Sequence, residues 1–196
     1  MNIAINGQQL EFIHIPIVLH KQGIVDLFAL KNNKSLAETL SSKRYSGFSK
    51  EIILRYPHSL DKKLGEFLLE LKNIGDLFYL QFLNKYGDSV FCDFSIASTP
   101  ITKLKGIYSF AIGSEIKYFG RSHDPFEKRL NQGYGHLSQK NCFRDGQSTN
   151  CRINSLIAKK HKDVSFYLYP IDDDIEIDRL EKLLIDWYKP DWNIQR

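Results

Sequence analysis

GIYSFAIGSEIKYFGRSHDPFEKRLNQGYGH, residues 106–136, decides how this chain is read. KGIYSFAI (105–112) and IKYFG (116–120) are aromatic and β-branched, and Gly113-Ser114-Glu115 between them reads as a hairpin turn. Strand side chains alternate between faces, so the loop length decides where Tyr108 and Tyr118 point. A two-residue loop at Gly113-Ser114 pairs 112 with 115 and puts the two tyrosines on opposite faces. A three-residue loop pairs 112 with 116 and puts them on one face. If the tyrosines share a site, the hairpin needs the odd loop or a bulge.

After Gly120 the sequence turns helical. Asp124 suits an N-cap, Pro125 a first helical residue and Glu127 a capping-box acid. Lys128 and Arg129 follow. In NQGYGH, glycines flank Tyr134, and such a loop can bring backbone and ring close to a partner.

Outward from this stretch, DGQSTNCRINSLIAKKHKD opens as a turn and continues as a helix capped by Ser148 or Thr149. VSFYLYPI (164–171) reads as a strand. Asp172–Asp174 form an acidic turn with none of the alternation of a Ca²⁺ loop. The last helix is expected over 178–189, with Asp178 as cap and Pro190 beyond its end. Glu181 has apolar neighbours at helical spacing: Ile177, Leu184 and Ile185. A carboxylate on such a face is costly to bury unless it meets a cation or a metal.

The first half reads as mixed. Strands are expected within 10–20, interrupted by Pro16, and helical spacing appears in 24–33. Ser35 suits the cap of a short helix, and 60–74 is the clearest helix, ending at Gly75. DLFYLQFL (76–83) and SVFCDFSI (89–96) read as two strands of a hairpin. Small and turn-forming residues at 97–100 mark a seam, giving regions 1–99 and 100–196.

With 196 residues and 42% hydrophobic content, the chain can bury a core and is not a disordered segment. No apolar run reaches the length of a membrane span, and no basic segment leads into an apolar one near Met1, so neither a membrane nor a signal peptide is expected. Cys92, Cys142 and Cys151 lack metal-ligand spacing and read as small, buried, reduced thiols of a cytoplasmic protein. Residues 101–162 carry 12 Lys and Arg against 4 acids, although the whole chain is only +4. A basic segment beside a slightly acidic remainder points to a polyanion, against the alternative of a solvated basic face.

Gly-Ile-Tyr at 106–108, Tyr-Phe-Gly at 118–120, Arg129, the helical Glu181 and Asn193 in Pro-Asp-Trp-Asn together resemble the GIY-YIG nuclease family, over about 105–196. The ordered set carries the resemblance; each triplet alone is common. It implies an α/β fold: a small central antiparallel sheet flanked by helices, here with a mixed α/β N-terminal extension.

The implied activity is hydrolysis of DNA phosphodiester bonds by an endonuclease using one divalent metal ion per site, Mg²⁺ or Mn²⁺. Tyr108 matches the tyrosine that helps activate water, and Tyr118 the second-motif tyrosine. Arg129 matches the helix arginine, whose guanidinium suits developing charge on phosphate. Glu181 matches the single metal ligand, and Asn193 a residue that contacts phosphate or orients the site. One departure stands out. The family places a Tyr or His one helical turn after the arginine, where this chain has Gly133. Tyr134 comes one residue later and His136 two after that; the glycine-flanked loop could shift Tyr134 into the place, and Tyr134 is favoured over His136. Arg121, His136, Asn150 and Arg152 are the candidate nucleic-acid contacts.

The expected partner is DNA. Double-strand cutting would call for two active sites and hence a homodimer. A restriction-type, mobile-element or repair role all fit. The alternatives are a non-catalytic nucleic-acid-binding module that keeps the fold, and a structural or adaptor role for the aromatic first half.

Overall fold

The computed structural model describes residues 1–194. Pro16 and the Gly7 turn cut the N-terminal run into short strands: β1 (Asn2–Ile5), β2 (Gln8–Glu11), β3 (Ile13–Ile15) and β4 (Ile17–Ile24). The helices α1 (Leu36–Leu40), α2 (Ser49–Arg55) and α3 (Leu64–Asn73) follow, then β5 (Phe91–Ile96). The hairpin is β6 (Gly106–Ile112) and β7 (Glu115–Ser122). A single turn, α4 (Phe126–Lys128), runs into a π-helical segment, Arg129–Gly135. The chain ends with α5 (Ser148–Lys160), β8 (Val164–Pro170) and α6 (Asp174–Tyr188). The protein is thus mixed α/β with antiparallel sheets.

Two compact units are present, and neither is a continuous half. One comprises 1–22, 92–136 and 156–196; the other comprises 23–91 and 137–155. The cut at 99/100 suggested by the sequence is not where the chain divides. The reason is strand pairing: β3 pairs antiparallel with β8, so the N-terminal strand completes the sheet of the C-terminal residues.

That sheet has the order β3-β8-β6-β7, with β7 at its edge. Ile107 and Phe119 point to one face and pack with Ile177, Leu180 and Leu184 of α6. Tyr108, Phe110 and Tyr118 point to the other, within ring-contact distance of Phe166 or Tyr134. Helix α6 starts at Asp174, not at Asp178: Asp173 accepts from the backbone N–H of Ile175 at 2.8 Å and of Glu176 at 3.3 Å. The acidic turn is therefore a cap, and Asp178 lies inside the helix.

In the other unit, Ser35 and Glu38 form a capping box at α1. Leu64, Phe67, Leu68 and Leu71 of α3 join a core with Phe78, Phe82 and Phe91. Residues 76–83 are not a strand. Leu77–Phe82 form a 3₁₀ helix, because Asp76 caps the Phe78 N–H at 3.0 Å and Phe78 and Phe82 both turn into this core. Strand β5 consequently pairs with β4 and not with 76–83.

Candidate active site

The β6–β7 hairpin solves the parity problem with a bulge. Ile112 pairs with Glu115 across a two-residue turn, yet Ala111 pairs with Ile116 and Phe110 with Tyr118. Lys117 is the extra residue, and past it Tyr108 and Tyr118 share a face. The unpaired Lys117 carbonyl accepts from the backbone N–H of Trp192 at 2.9 Å.

Both triplet glycines are required sterically. Gly106 has φ 142°, and a Cβ there would lie 2.4 Å from the Tyr169 carbonyl oxygen. Gly120 is paired with Tyr108, whose ring lies against it; a Cβ would sit 2.5 Å from the phenol carbon and oxygen.

Asp124 does not cap the following helix. Pro125 occupies the cap position without a side-chain bond, and Asp124 instead pairs with Lys128 at 2.9 Å. The π-helical segment that follows resolves the irregular spacing. A π turn brings residues five apart onto one line, where an α turn aligns those four apart. Tyr134, five residues after Arg129, accepts from its Nη2 at 2.8 Å, and the guanidinium lies 4.4 Å from the Tyr134 ring centre. Gly133 presents no side chain beside Arg129; a Cβ would lie 3.2 Å from Nη1.

The Tyr134 hydroxyl is 2.9 Å from that of Tyr108 and 3.2 Å from that of Tyr118. Arg129 Nε donates to the Tyr108 oxygen at 3.4 Å. Four sequence candidates therefore form one hydrogen-bonded cluster. Tyr108 and Tyr134 are fully buried and Tyr118 nearly so. Burial pushes all three phenols well above their ordinary value, while the Arg129 charge pulls each down. They are neutral at physiological pH.

Glu181 sits on α6, against the other sheet face. Arg121, one residue past Gly120 on β7, forms an ion pair with Glu181, Nη1 to Oε2 at 2.9 Å, and reaches Asp178 from Nε at 3.2 Å. The Glu181 side chain is 18% exposed and Arg121 42%. Burial raises the Glu181 carboxyl above its usual range, against the pull of Arg121. His123 contacts Asp178 at 2.9 Å and Asp174 at 3.0 Å. Asp174, Asp178 and Glu181 thus line one face of α6 opposite Lys105, His123 and Arg121. Acids at i, i+4 and i+7 are the sequence signal for this row, and it becomes readable only when the helix begins at Asp174 rather than Asp178.

Asn193 holds the edge of β7. Its Oδ1 accepts from the Phe119 N–H at 2.9 Å and its Nδ2 donates to the Phe119 carbonyl at 2.8 Å. Both ends of its amide are engaged with backbone next to Tyr118, which braces this part of the β7 edge. His136 is apart from the phenols, 76% exposed and 3.2 Å from Asp93. Asn150 and Arg152 belong to the other unit. Asn150 is buried at 3% exposure and donates to Gln147 at 2.8 Å, which does not present it to a base. All three cysteines are free thiols and buried.

Among the described residues, no group of three or more His, Cys, Asp and Glu side chains is arranged to hold a metal, and no helix is long and apolar enough to cross a membrane. A single sheltered carboxylate is still a donor set that fits Mg²⁺, which keeps several waters and also binds substrate phosphate. No family model, no curated protein and no solved structure matches the chain.

Proposed function

We propose that the protein is a divalent-metal-dependent DNA endonuclease of GIY-YIG type. The observation that carries this reading is the Arg129 cluster, in which the guanidinium meets Tyr108 and Tyr134 and Tyr118 joins through the Tyr134 hydroxyl. A strand bulge and a π turn, each a departure from regular geometry, are both needed to assemble it. Two such departures converging on one side-chain cluster favour a working site over simple core packing.

Arg129 would bind and stabilise the developing charge on phosphate, with Nη1 beside Gly133. Tyr108 would take the proton of the attacking water. That requires phenolate character, which Arg129 favours and burial opposes. Tyr134 and Tyr118 position Tyr108, and Asn193 fixes the β7 backbone beneath them. Glu181 would hold the Mg²⁺ or Mn²⁺ ion. The bound ion would supply Lewis-acid polarisation of the phosphate. The partner is DNA, drawn by the basic segment 101–162, and two copies would be required to cut both strands together. Reduced, buried cysteines fit a cytoplasmic setting.

A second reading is favoured by one observation: every phenol oxygen of the cluster is already hydrogen-bonded and buried. The fold would then serve as a nucleic-acid-binding module without catalysis. Cleavage of a labelled duplex with Mg²⁺ by wild type and Arg129→Gln separates the two. For the nuclease, the variant cuts about 100-fold or more slowly while still binding DNA. Salt-sensitive binding with no cleavage by wild type supports the binding module.

A further inference from the structure

The geometry points to Arg121 as a substrate-operated gate on the metal site: it holds the Glu181 carboxylate in the free protein and leaves it for a DNA phosphate, opening the carboxylate to a divalent cation. This inference rests on the nuclease reading above.

The argument begins with an asymmetry. Glu181 is sheltered at 18% side-chain exposure, whereas its partner Arg121 is 42% exposed. The carboxylate cannot easily seek a new partner, but the guanidinium can be reached from solvent. A sheltered carboxylate needs a cation, and removing the cation without replacement is strongly unfavourable. Arg121 meets that need from 2.9 Å at Oε2, so it competes for that oxygen with any cation. Two cations on one carboxylate edge repel each other, so the guanidinium and the ion exclude one another.

The surroundings make the exchange feasible. Asp178 is shared between Arg121 and His123, so it keeps a contact at 2.9 Å when Arg121 leaves. Glu181 is the group left requiring a positive charge. The Arg121 backbone is fixed by pairing with Ile107, so the exchange is a side-chain swing from a rigid strand. Arg121 pairs with Ile107 and points to the α6 face, where its 42% exposed guanidinium is open to a backbone phosphate from solvent. A planar fork that now spans two carboxylates is equally suited to two phosphate oxygens. The gate makes metal binding follow DNA binding and keeps the free enzyme without a loaded ion.

The test is Mn²⁺ binding measured by electron paramagnetic resonance. It is done with the intact protein alone and with a phosphorothioate duplex that resists cleavage, corrected for Mn²⁺ on the duplex itself. Wild type should bind Mn²⁺ weakly alone and about tenfold more tightly with duplex, the worth of about one partly buried ion pair. Arg121→Gln should bind Mn²⁺ tightly without DNA and gain little from adding it. Arg121→Lys, which keeps the charge but not the fork, should fall between and serves if the Gln variant does not fold. Glu181→Gln should bind weakly throughout. Equal Mn²⁺ affinity of free wild type and Arg121→Gln, with loss in Glu181→Gln, overturns the gate and leaves the nuclease reading standing. Mn²⁺ binding indifferent to Glu181 in every state overturns both.

Discussion

Arg129 and Tyr134 stand five residues apart and meet at 2.8 Å because the backbone between them is π-helical. An α turn aligns residues four apart and would have turned Tyr134 away from the arginine. The irregular turn is thus what brings the third phenol into the site, and its hydroxyl is the one that touches both other tyrosines.

Tyr134→Phe removes that shared hydroxyl while keeping the ring. Loss of buried hydrogen bonds at a charged partner should cost about 1–3 kcal/mol of stability. Cleavage should slow by roughly 10- to 100-fold with duplex affinity nearly unchanged. Urea unfolding and single-turnover cleavage read the two effects. Unchanged turnover would show that Tyr134 only fills space.

Gly120→Ala places a methyl group where the Tyr108 ring now lies, 2.5 Å away. Overpacking of this kind costs about 1–3 kcal/mol, and the displaced phenol should lower cleavage more than it lowers binding. A fully stable and active variant would mean that the ring moves freely, contrary to the packing described.

Asn193→Ala should lose about 1–2 kcal/mol from its two bonds to Phe119. It should reduce cleavage without changing how DNA affinity depends on salt. A direct phosphate contact would instead lower the salt slope by about one, so the slope distinguishes orientation from contact.

The phenols also set an alkaline limit. Burial raises Tyr108 and Tyr134 in the folded protein. A group raised on folding contributes fully below its unfolded value, about 10 for tyrosine. The contribution is lost as the pH climbs through the folded value. Stability should therefore fall above roughly pH 10, and less steeply in Tyr134→Phe. Urea midpoints between neutral pH and pH 11 check this; parallel curves for the two proteins would count against coupled burial of the phenols.

Much of the fold was legible because it depends on local rules. Parity alone required an odd loop or a bulge if Tyr108 and Tyr118 share a site, and Lys117 is that bulge. The capping box at Ser35, the stripe on α3 and the end at Gly75 follow from local spacing. Residues 76–83 misled because aromatic enrichment suits a buried 3₁₀ turn as well as a strand, and only the Asp76 cap distinguishes them. The start of α6 was misplaced because Asp173 and Asp178 are both acceptable caps in sequence.

In the site, the phenols and Arg129 were readable as residue types. Tyr134 was the favoured partner over His136, but the π turn that brings it to Arg129 leaves no mark in hydrophobic periodicity. The contact of Arg121 with Glu181 joins a strand to a distant helix. Such a pairing depends on tertiary packing and has no local signature. The same holds for the division into units, which is set by β3 pairing with β8.

The most direct single measurement is conversion of supercoiled plasmid by the native protein and by Glu181→Ala, each with Mg²⁺ and with chelator. Nicking or linearisation that needs metal and disappears in the variant is the expected result, and discrete linear fragments would favour a restriction-type role. Equal cleavage by both proteins, or none by the native protein despite salt-sensitive DNA binding, would contradict a nuclease site built on Arg129 and Glu181.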